Sequence, residues 1–223
     1  MSPANRPTET NPQWAALHEP AHIADALVGL YRRLGHDRVE AGGVTIGEHA
    51  CQAAAYALAG GAPDSLVVAA LFHDVGHLLL GPGSALRASA EPAHEVVGAD
   101  FLARWFDQKV TAPVRLHVAA KRYLCAVDPY YEATLTAASA RSLIIQGGPM
   151  SPDELARFVL EPGGADAIEL RRWDDLANRP GAPAPSLDVY QQMVEVLLTE
   201  QCRTRTRHRT RQTAATAPAP PRR

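Results

Sequence analysis

The sequence predicts an all-α fold in a single domain, and three observations support this. Apolar residues recur every three or four positions in successive segments, which is the spacing of an amphipathic helix. Glycine and proline separate these segments, and no segment alternates apolar and polar residues as a half-buried strand does. The chain has 223 residues, 46% of them hydrophobic, so one domain of this length can bury a substantial core.

Nine helices are predicted in order, and several have recognisable boundaries. They cover residues 21–34, 46–59, 63–81, 89–107, 112–124, 136–146, a segment that starts at Ser151, 165–176 and 187–199. Gly60 ends the second helix, Pro63 begins the third and Gly147 follows the sixth. The acidic first turn after Ser151 is typical of a helix N-terminus.

The two ends of the chain differ in composition from its middle. Residues 1–19 predict a loose arm, residues 20–200 the helical domain, and residues 201–223 a disordered basic tail, so the domain has flexible termini. The tail holds seven arginines and no acidic residue. Removing these seven positive charges from the net charge of −2 leaves −9 on residues 1–200. The overall net charge of −2 and the pI of about 6.5 give no global reason to expect nucleic acid as a partner.

Cysteine usage and hydropathy favour a cytoplasmic protein. Cys51, Cys125 and Cys202 are far apart and form no CxxC pair, so neither disulfides nor a thiolate zinc site is expected. No apolar stretch approaches the roughly 20 residues that span a bilayer, and no apolar signal segment opens the chain. We therefore expect reduced thiols and no membrane contact.

Five of the nine histidines lie between residues 49 and 117 and suggest a metal centre. At its middle is His73-Asp74-Val75-Gly76-His77, in a segment predicted to be one continuous helix with His73 and His77 on one face. Imidazole and carboxylate ligands without thiolates suit iron, manganese or zinc. Asp74 can bridge two ions, because a carboxylate offers one oxygen to each. The predicted ligands are His49, His73, Asp74 and Asp174 for one metal, and His94 and His117 for a second.

The ligand pattern resembles the HD-domain superfamily, whose members are helical and mostly metal-dependent phosphohydrolases. With His94 and His117, it resembles the two-metal members. Three further blocks are HVAAKRYLCAVDPYY (117–131), SARSLIIQGGPM (139–150) and LRRWDDLA (170–177). They resemble the HD-domain diiron oxygenases of phosphonate degradation, which are similar to inositol oxygenase in their mixed-valent diiron chemistry. The resemblance covers about residues 22–196.

This resemblance implies an HD-domain helical bundle and an activity. The activity is O2-dependent cleavage of the carbon–phosphorus bond of a 1-hydroxyphosphonate, giving phosphate and a carboxylic acid. The implied cofactors are two iron ions, a mixed-valent Fe(II)/Fe(III) pair, with dioxygen as co-substrate. The implied partner is a small organophosphonate.

The resemblance also implies catalytic roles for His77 and Lys121, and substrate contacts through His77, Lys121, Ser139 and Arg171. Lys121 follows His117 by one helical turn, and its ammonium can therefore face an anion bound at the metals. Arg171 precedes Asp174 by three residues and can act likewise. The neighbouring Asp175, with Arg172, is expected to form exposed ion pairs of little energetic value. The tyrosines of these blocks could line the pocket, but core packing is the favoured expectation for Tyr123, Tyr130 and Tyr131.

Two positions depart from the family pattern. Its members carry a Tyr and a Glu ten and seven residues before the first ligand histidine, where this chain has Val39 and Gly42. Without the Glu, an amino group on the substrate lacks its counter-charge. A 1-hydroxyphosphonate with a smaller or uncharged far end is therefore expected, rather than 2-amino-1-hydroxyethylphosphonate.

Two other functions stay open on these residues. A two-metal phosphohydrolase, such as a phosphodiesterase or nucleotidase, needs the same six ligands. A metal-stabilised binding domain that docks through its basic tail is a non-enzymatic alternative. The blocks that follow His117 favour the oxygenase.

Overall fold

The computed structural model describes residues 12–36, 43–80 and 94–215, which form helices and no extended strand. The all-α prediction is confirmed over these residues. The helices are α1 (Pro12–Ala15), α2 (Pro20–Leu34), α3 (Ile46–Ala59), α4 (Asp64–Phe72), α5 (Val75–Leu80), α6 (His94–Leu102), α7 (Gln108–Val127), α8 (Tyr131–Thr134), α9 (Ala137–Ile145), α10 (Pro152–Phe158), α11 (Gly164–Leu176) and α12 (Leu187–Ala215).

Side-chain caps fix where α3 and α10 begin. The Thr45 hydroxyl accepts the backbone N–H of Glu48 at 3.2 Å, and the Glu48 carboxylate accepts the backbone N–H of Thr45 at 2.8 Å. Ser151 and Glu154 form the same reciprocal capping box at the start of α10. Glu154 also forms an ion pair with Arg122 of α7 at 2.8 Å. The backbone bond from Ser151 and the Arg122 contact lower the pKa of Glu154 to about 2.

The predicted helix over residues 63–81 is in fact two helices, α4 and α5. They are separated by a turn at His73 and Asp74, and the Nδ1 atom of His73 donates to the carbonyl oxygen of Ala70 at 2.8 Å. The apolar pattern runs through this turn unchanged, so periodicity does not locate it. His73 and His77 therefore do not share one face of a continuous helix.

The N-terminal arm is partly structured, contrary to the prediction for residues 1–19. Trp14 of α1 is buried, and its ring packs edge-on against Phe101 of α6 at a centroid distance of 5.0 Å. The same ring lies 5.8 Å from that of Trp105. Burial of this large aromatic side chain orders the second half of the arm.

The tail also differs from the prediction, because α12 continues to Ala215 instead of ending near residue 200. Two contacts hold its extension to the corner between α6 and α7. Gln201 Oε1 accepts the backbone N–H of Asp107 at 3.3 Å, and Arg205 Nη2 donates to the carbonyl oxygen of Trp105 at 3.2 Å. Residues 216–223 of the predicted tail lie outside the described residues.

Helix α7 is central, since it packs against α4, α6 and α11. Helix α4 is buried all round from Leu66 to Phe72, as expected of a helix without a polar face. Helix α3 packs on α4 and α11, and α5 packs on α6. None of the helices in the described ranges has both the length and the apolar character needed to cross a bilayer. The three cysteines are free thiols.

Candidate metal centre

The six predicted metal ligands converge in the interior, although they come from five parts of the chain. One is in α3, two form the turn between α4 and α5, one begins α6, one lies in the middle of α7 and one lies near the end of α11. All six are buried: His49, His73, Asp74, His94, His117 and Asp174. The structure thus brings together residues separated by up to 125 positions in the sequence.

Three of these side chains form a first group. His49 Nε2 lies 3.1 Å from Asp174 Oδ1, and His73 Nε2 lies 3.6 Å from the same oxygen. The two histidine Nε2 atoms are 3.2 Å apart. One donor atom from each residue therefore faces a common point.

His94 and His117 form a second group, with their Nε2 atoms 3.1 Å apart. Asp74 stands between the two groups. Its Oδ2 lies 3.4 Å from His73 Nε2 and 3.8 Å from His49 Nε2. Its Oδ1 lies 3.2 Å from His94 Nε2 and 3.7 Å from His117 Nε2. One oxygen faces each group, which is the arrangement of a bridging carboxylate.

The tautomers of three histidines are fixed by backbone carbonyl groups. The Nδ1 atoms of His49, His73 and His117 each lie 2.8 Å from a carbonyl oxygen, those of Ala177, Ala70 and Val114 respectively. In the neutral rings the hydrogen is therefore on Nδ1, and each Nε2 presents a lone pair to its neighbours. The Nε2 atoms of His49 and His73 are 3.2 Å apart, and two lone pairs at this distance repel unless a cation or a proton lies between them. The donor set therefore fits metal ions, and the backbone carbonyl groups that bind Nδ1 orient the histidine rings toward them.

The charges of the cluster also suit a cation. Burial would raise the pKa of Asp74, but His73, His94 and His77 outweigh it and hold that pKa well below its usual range. Burial lowers the pKa of His117 well below its usual range, and His94 and His73 lower it further. Burial would also raise the pKa of Asp174, but Arg171 and His73 hold that pKa well below its usual range. Burial would lower the pKa values of His49, His73 and His94, but the nearby carboxylates raise them, so the two ionised carboxylates draw positive charge into the cluster.

Close helix crossing places His94 beside Asp74. A methyl group added to Gly76 of α5 would lie only 2.0 Å from the carbonyl oxygen of His94. One added to Gly98 of α6 would lie 3.2 Å from the backbone nitrogen of Gly76. The absence of side chains at both positions lets α5 and α6 approach through their backbones, and this approach joins the second group to the Asp74 turn.

His77 lies at the solvent edge of the second group. Its ring stacks on that of His94 at a centroid distance of 3.9 Å, and its Nε2 lies 4.0 Å from Asp74 Oδ1. Asp74, His77 and His94 each offer a possible ligand atom within 4.8 Å of one another. The side chain of His77 is 29% exposed, so it can also meet a molecule that enters from solvent.

Lys121 is buried one turn after His117, and its Nζ donates to Ser142 Oγ at 2.7 Å. Ser142 was not predicted, although it lies one turn after Ser139 in α9. The backbone N–H of Ser139 donates to Thr136 Oγ1 at 3.1 Å and so belongs to the N-terminal cap of α9. The hydroxyl oxygen of Ser139 accepts a hydrogen bond from Thr136 Oγ1 at 3.1 Å, so the hydroxyl hydrogen of Ser139 can still be donated to another group.

Arg171 is buried and faces acidic neighbours. Its Nη1 donates to Asp174 Oδ2 at 2.7 Å, and its Nη2 is paired with Asp175. The hydroxyl of Tyr131 also donates to Asp175. Asp175 is therefore part of an interior network, and the prediction of an exposed pair is wrong for it. Arg172 is exposed as predicted, 4.0 Å from Glu169.

The fold and the histidine–aspartate cluster define a helical protein of the HD-domain class, and comparison with known proteins agrees. Residues 46–137 match the HD domain model. The chain is 43% identical over 157 residues to the hydroxymethylphosphonate dioxygenase of Gimesia maris, covering 70% of this chain and 78% of that one. It is 36% identical over 175 residues to the [1-hydroxy-2-(trimethylamino)ethyl]phosphonate dioxygenase (glycine-betaine-forming) of Leisingera caerulea, covering 78% and 89%.

The chain therefore belongs to the family of HD-domain phosphonate dioxygenases. The match to the HD domain spans five of the six predicted ligands and ends before Asp174. The two positions that depart from the family pattern, Val39 and Gly42, lie outside the described residues.

Proposed function

We propose that this protein uses dioxygen and two iron ions to cleave the carbon–phosphorus bond of a 1-hydroxyphosphonate. One dioxygen is consumed for each phosphate and carboxylic acid formed, and this balances the four-electron oxidation. Membership in the phosphonate dioxygenase family supports the reaction class. The observation that carries the proposal is the position of Asp74, which directs one oxygen to each of two histidine groups.

In this proposal, His49, His73 and Asp174 would hold one iron, His94 and His117 would hold the other, and Asp74 would be a ligand shared by both. When bound there, the two irons would supply Lewis acidity toward the oxygens of the substrate and redox capacity toward dioxygen. The remaining roles belong to the side chains around the ligands.

Lys121 is the main electrostatic partner of the phosphonate. Its ammonium is buried one helical turn from His117 and is directed by Ser142, so it stabilises a dianion bound at the metals. Ser139 adds a hydroxyl donor from α9. Arg171 contributes positive charge from α11 while it orients Asp174. These contacts exchange water for fixed donors around the phosphonate.

His77 acts as the general base for the substrate hydroxyl. It lies beside both Asp74 and the ring of His94, and it is the one residue of the histidine cluster that the structure describes with a substantially exposed side chain. An imidazole in this position can accept a proton from a 1-hydroxyl group and release it to solvent.

The favoured substrate is a 1-hydroxyphosphonate with a small, uncharged far end. This rests on Gly42, which supplies no carboxylate where family members have Glu, and on the 43% identity to a protein named for hydroxymethylphosphonate. The other relative is named for a substrate with a trimethylammonium group. These alternatives are separated by comparing kcat/KM for hydroxymethyl-, 1-hydroxyethyl-, 2-amino-1-hydroxyethyl- and [1-hydroxy-2-(trimethylamino)ethyl]phosphonate. A clear preference for either ammonium compound would contradict the small-substrate proposal.

The reaction is tested by loading the protein with Fe(II) without oxygen and measuring phosphate release from hydroxymethylphosphonate. We expect release only when dioxygen and iron are both present, together with a mixed-valent diiron signal in electron paramagnetic resonance. Replacing His117 by Ala should abolish both, whereas His22→Ala, an exposed histidine of α2, should change neither. Hydrolysis of phosphate esters under argon with Mn(II), without oxidative cleavage, would instead identify a two-metal phosphohydrolase.

A further inference from the structure

The guanidinium of Arg171 is held from two directions. On one side, Nη1 donates to Asp174 Oδ2 at 2.7 Å. On the other, Nη2 is paired with Asp175, while Nε lies 3.2 Å from the hydroxyl of Tyr131 and 3.3 Å from Asp175 Oδ2. Tyr131 in turn donates to Asp175. The two groups behind Arg171 are thus bonded both to it and to each other.

This arrangement determines how the Asp174 carboxylate faces the metal centre. Asp174 Oδ1 lies 3.1 Å from His49 Nε2 and 3.6 Å from His73 Nε2, while Oδ2 is occupied by Arg171. Rotation of the carboxylate would break one of these contacts. The orientation of Oδ1 therefore depends on where the guanidinium is held.

We infer that Asp175 and Tyr131 are positioning residues, which fix Arg171 and through it the metal-facing oxygen of Asp174. The inference rests on the proposed metal centre and adds two residues that are outside the proposed ligands and substrate contacts. Tyr131 begins α8, whereas the other three belong to α11, so the network also ties α8 to the metal-facing part of α11.

A neighbouring ion pair on the same helix provides a comparison, because it is exposed to solvent. Arg172 and Glu169 are 4.0 Å apart with side chains 52% and 57% exposed, as is typical of pairs of small energetic value. The side chains of Arg171 and Asp175 are only 6% and 18% exposed. A charge pair at this depth needs several hydrogen bonds to offset its desolvation, and the Tyr131 hydroxyl provides one of them.

The test measures iron affinity in the full-length protein, with no substrate present. Wild type, Asp175→Asn, Tyr131→Phe and the matched control Glu169→Gln are loaded with Fe(II) under argon and titrated with a chelator. We expect Asp175→Asn to lower the affinity for one of the two irons about 10- to 100-fold, which is the usual effect of removing a group that orients a ligand. The other iron should be retained, and Glu169→Gln should match wild type.

Tyr131→Phe keeps the buried ring and removes only the hydroxyl, so it tests the inference even if Asp175→Asn does not fold. We expect it to shift the same iron in the same direction. If the two residues had a purely structural role, the variants would have a lower unfolding temperature, but the affinities for the two irons would not change differently. If both folded variants release their irons at the wild-type chelator concentration, the inference is overturned. Because this measurement needs no phosphonate, it stays informative if two irons bind but oxygen-dependent phosphate release fails.

Discussion

Gly76 lies directly against the backbone of His94, so closely that a Cβ atom on Gly76 would be 2.0 Å from the His94 carbonyl oxygen. This glycine belongs to the HDxGH string that suggested the metal centre, yet it offers no ligand atom. Because Gly76 has no side chain, α6 can pack close enough to place His94 Nε2 within 3.2 Å of Asp74 Oδ1.

Replacing Gly76 by Ala should therefore damage the second metal group. The methyl group must push α6 away, and such overpacking costs about 1–3 kcal/mol of unfolding free energy. We expect a lower unfolding temperature and about one iron per chain in place of two, measured by thermal scanning and metal analysis. The matched control is Gly29→Ala in α2, where the new methyl group meets only the mobile end of Arg33. Two tightly bound irons in the Gly76 variant would contradict this account.

Lys121→Met should lower kcat/KM for the phosphonate. The substitution keeps the length and apolar stem of the side chain and removes the buried ammonium. A charged hydrogen bond contributes about 1.5–3 kcal/mol, so the expected loss is roughly tenfold to a hundredfold. Lys109, the other lysine of the chain, is exposed, and Lys109→Met provides the control. Equal activity of the two variants in a phosphate-release assay would exclude Lys121 as the phosphonate partner.

Metal removal should destabilise the fold. Ions that bind the folded state alone add about 2.7 kcal/mol at a free concentration of one hundred times Kd. For a chain of this size that corresponds to a rise of roughly 5–10 °C in Tm. We expect Fe(II) or Mn(II) to raise the Tm of chelator-treated protein, and the rise to be smaller in His117→Ala but unchanged in His22→Ala. An unfolding temperature that is insensitive to metal would argue against a preformed centre.

Acid stability should depend on Glu154. Its folded pKa of about 2 is below the ordinary value of 4.5, so the capping box and the Arg122 pair stabilise the fold above pH 4.5. This contribution is lost as the pH falls from 4.5 toward 2. Glu154→Gln should therefore unfold more easily than wild type at pH 6, with the difference shrinking as the pH approaches 2. Glu169→Gln measures the general effect of losing one surface charge. A difference between Glu154→Gln and wild type that does not change with pH would contradict the assigned cause.

Local signals predicted much of the fold. The beginning of α10 was predicted from Ser151 and the acidic turn after it, and the capping box there extends over only three residues. The break at His73 and Asp74 was missed because both flanking segments are apolar. The length of α12 was missed because it depends on contacts with Trp105 and Asp107, about one hundred positions away.

The site shows the same division. Residue chemistry and spacing were enough to select the histidines and aspartates that the structure brings together. They were not enough to separate Asp175 from its exposed neighbour Arg172, because the distinction comes from Tyr131, 44 positions earlier. Ser142 was missed for a similar reason, since only tertiary packing brings α9 to Lys121.

The position of Asp74 has a consequence for how the centre fills and empties. Because one carboxylate faces both histidine groups, an ion on either side changes the charge that the other side experiences. Thermodynamic linkage then requires the effect to be reciprocal: whatever factor the first ion applies to the affinity for the second, the second applies to the first. If ions occupy both histidine groups as proposed, the affinity at one position depends on whether the other is filled, and a single dissociation constant would not describe the pair.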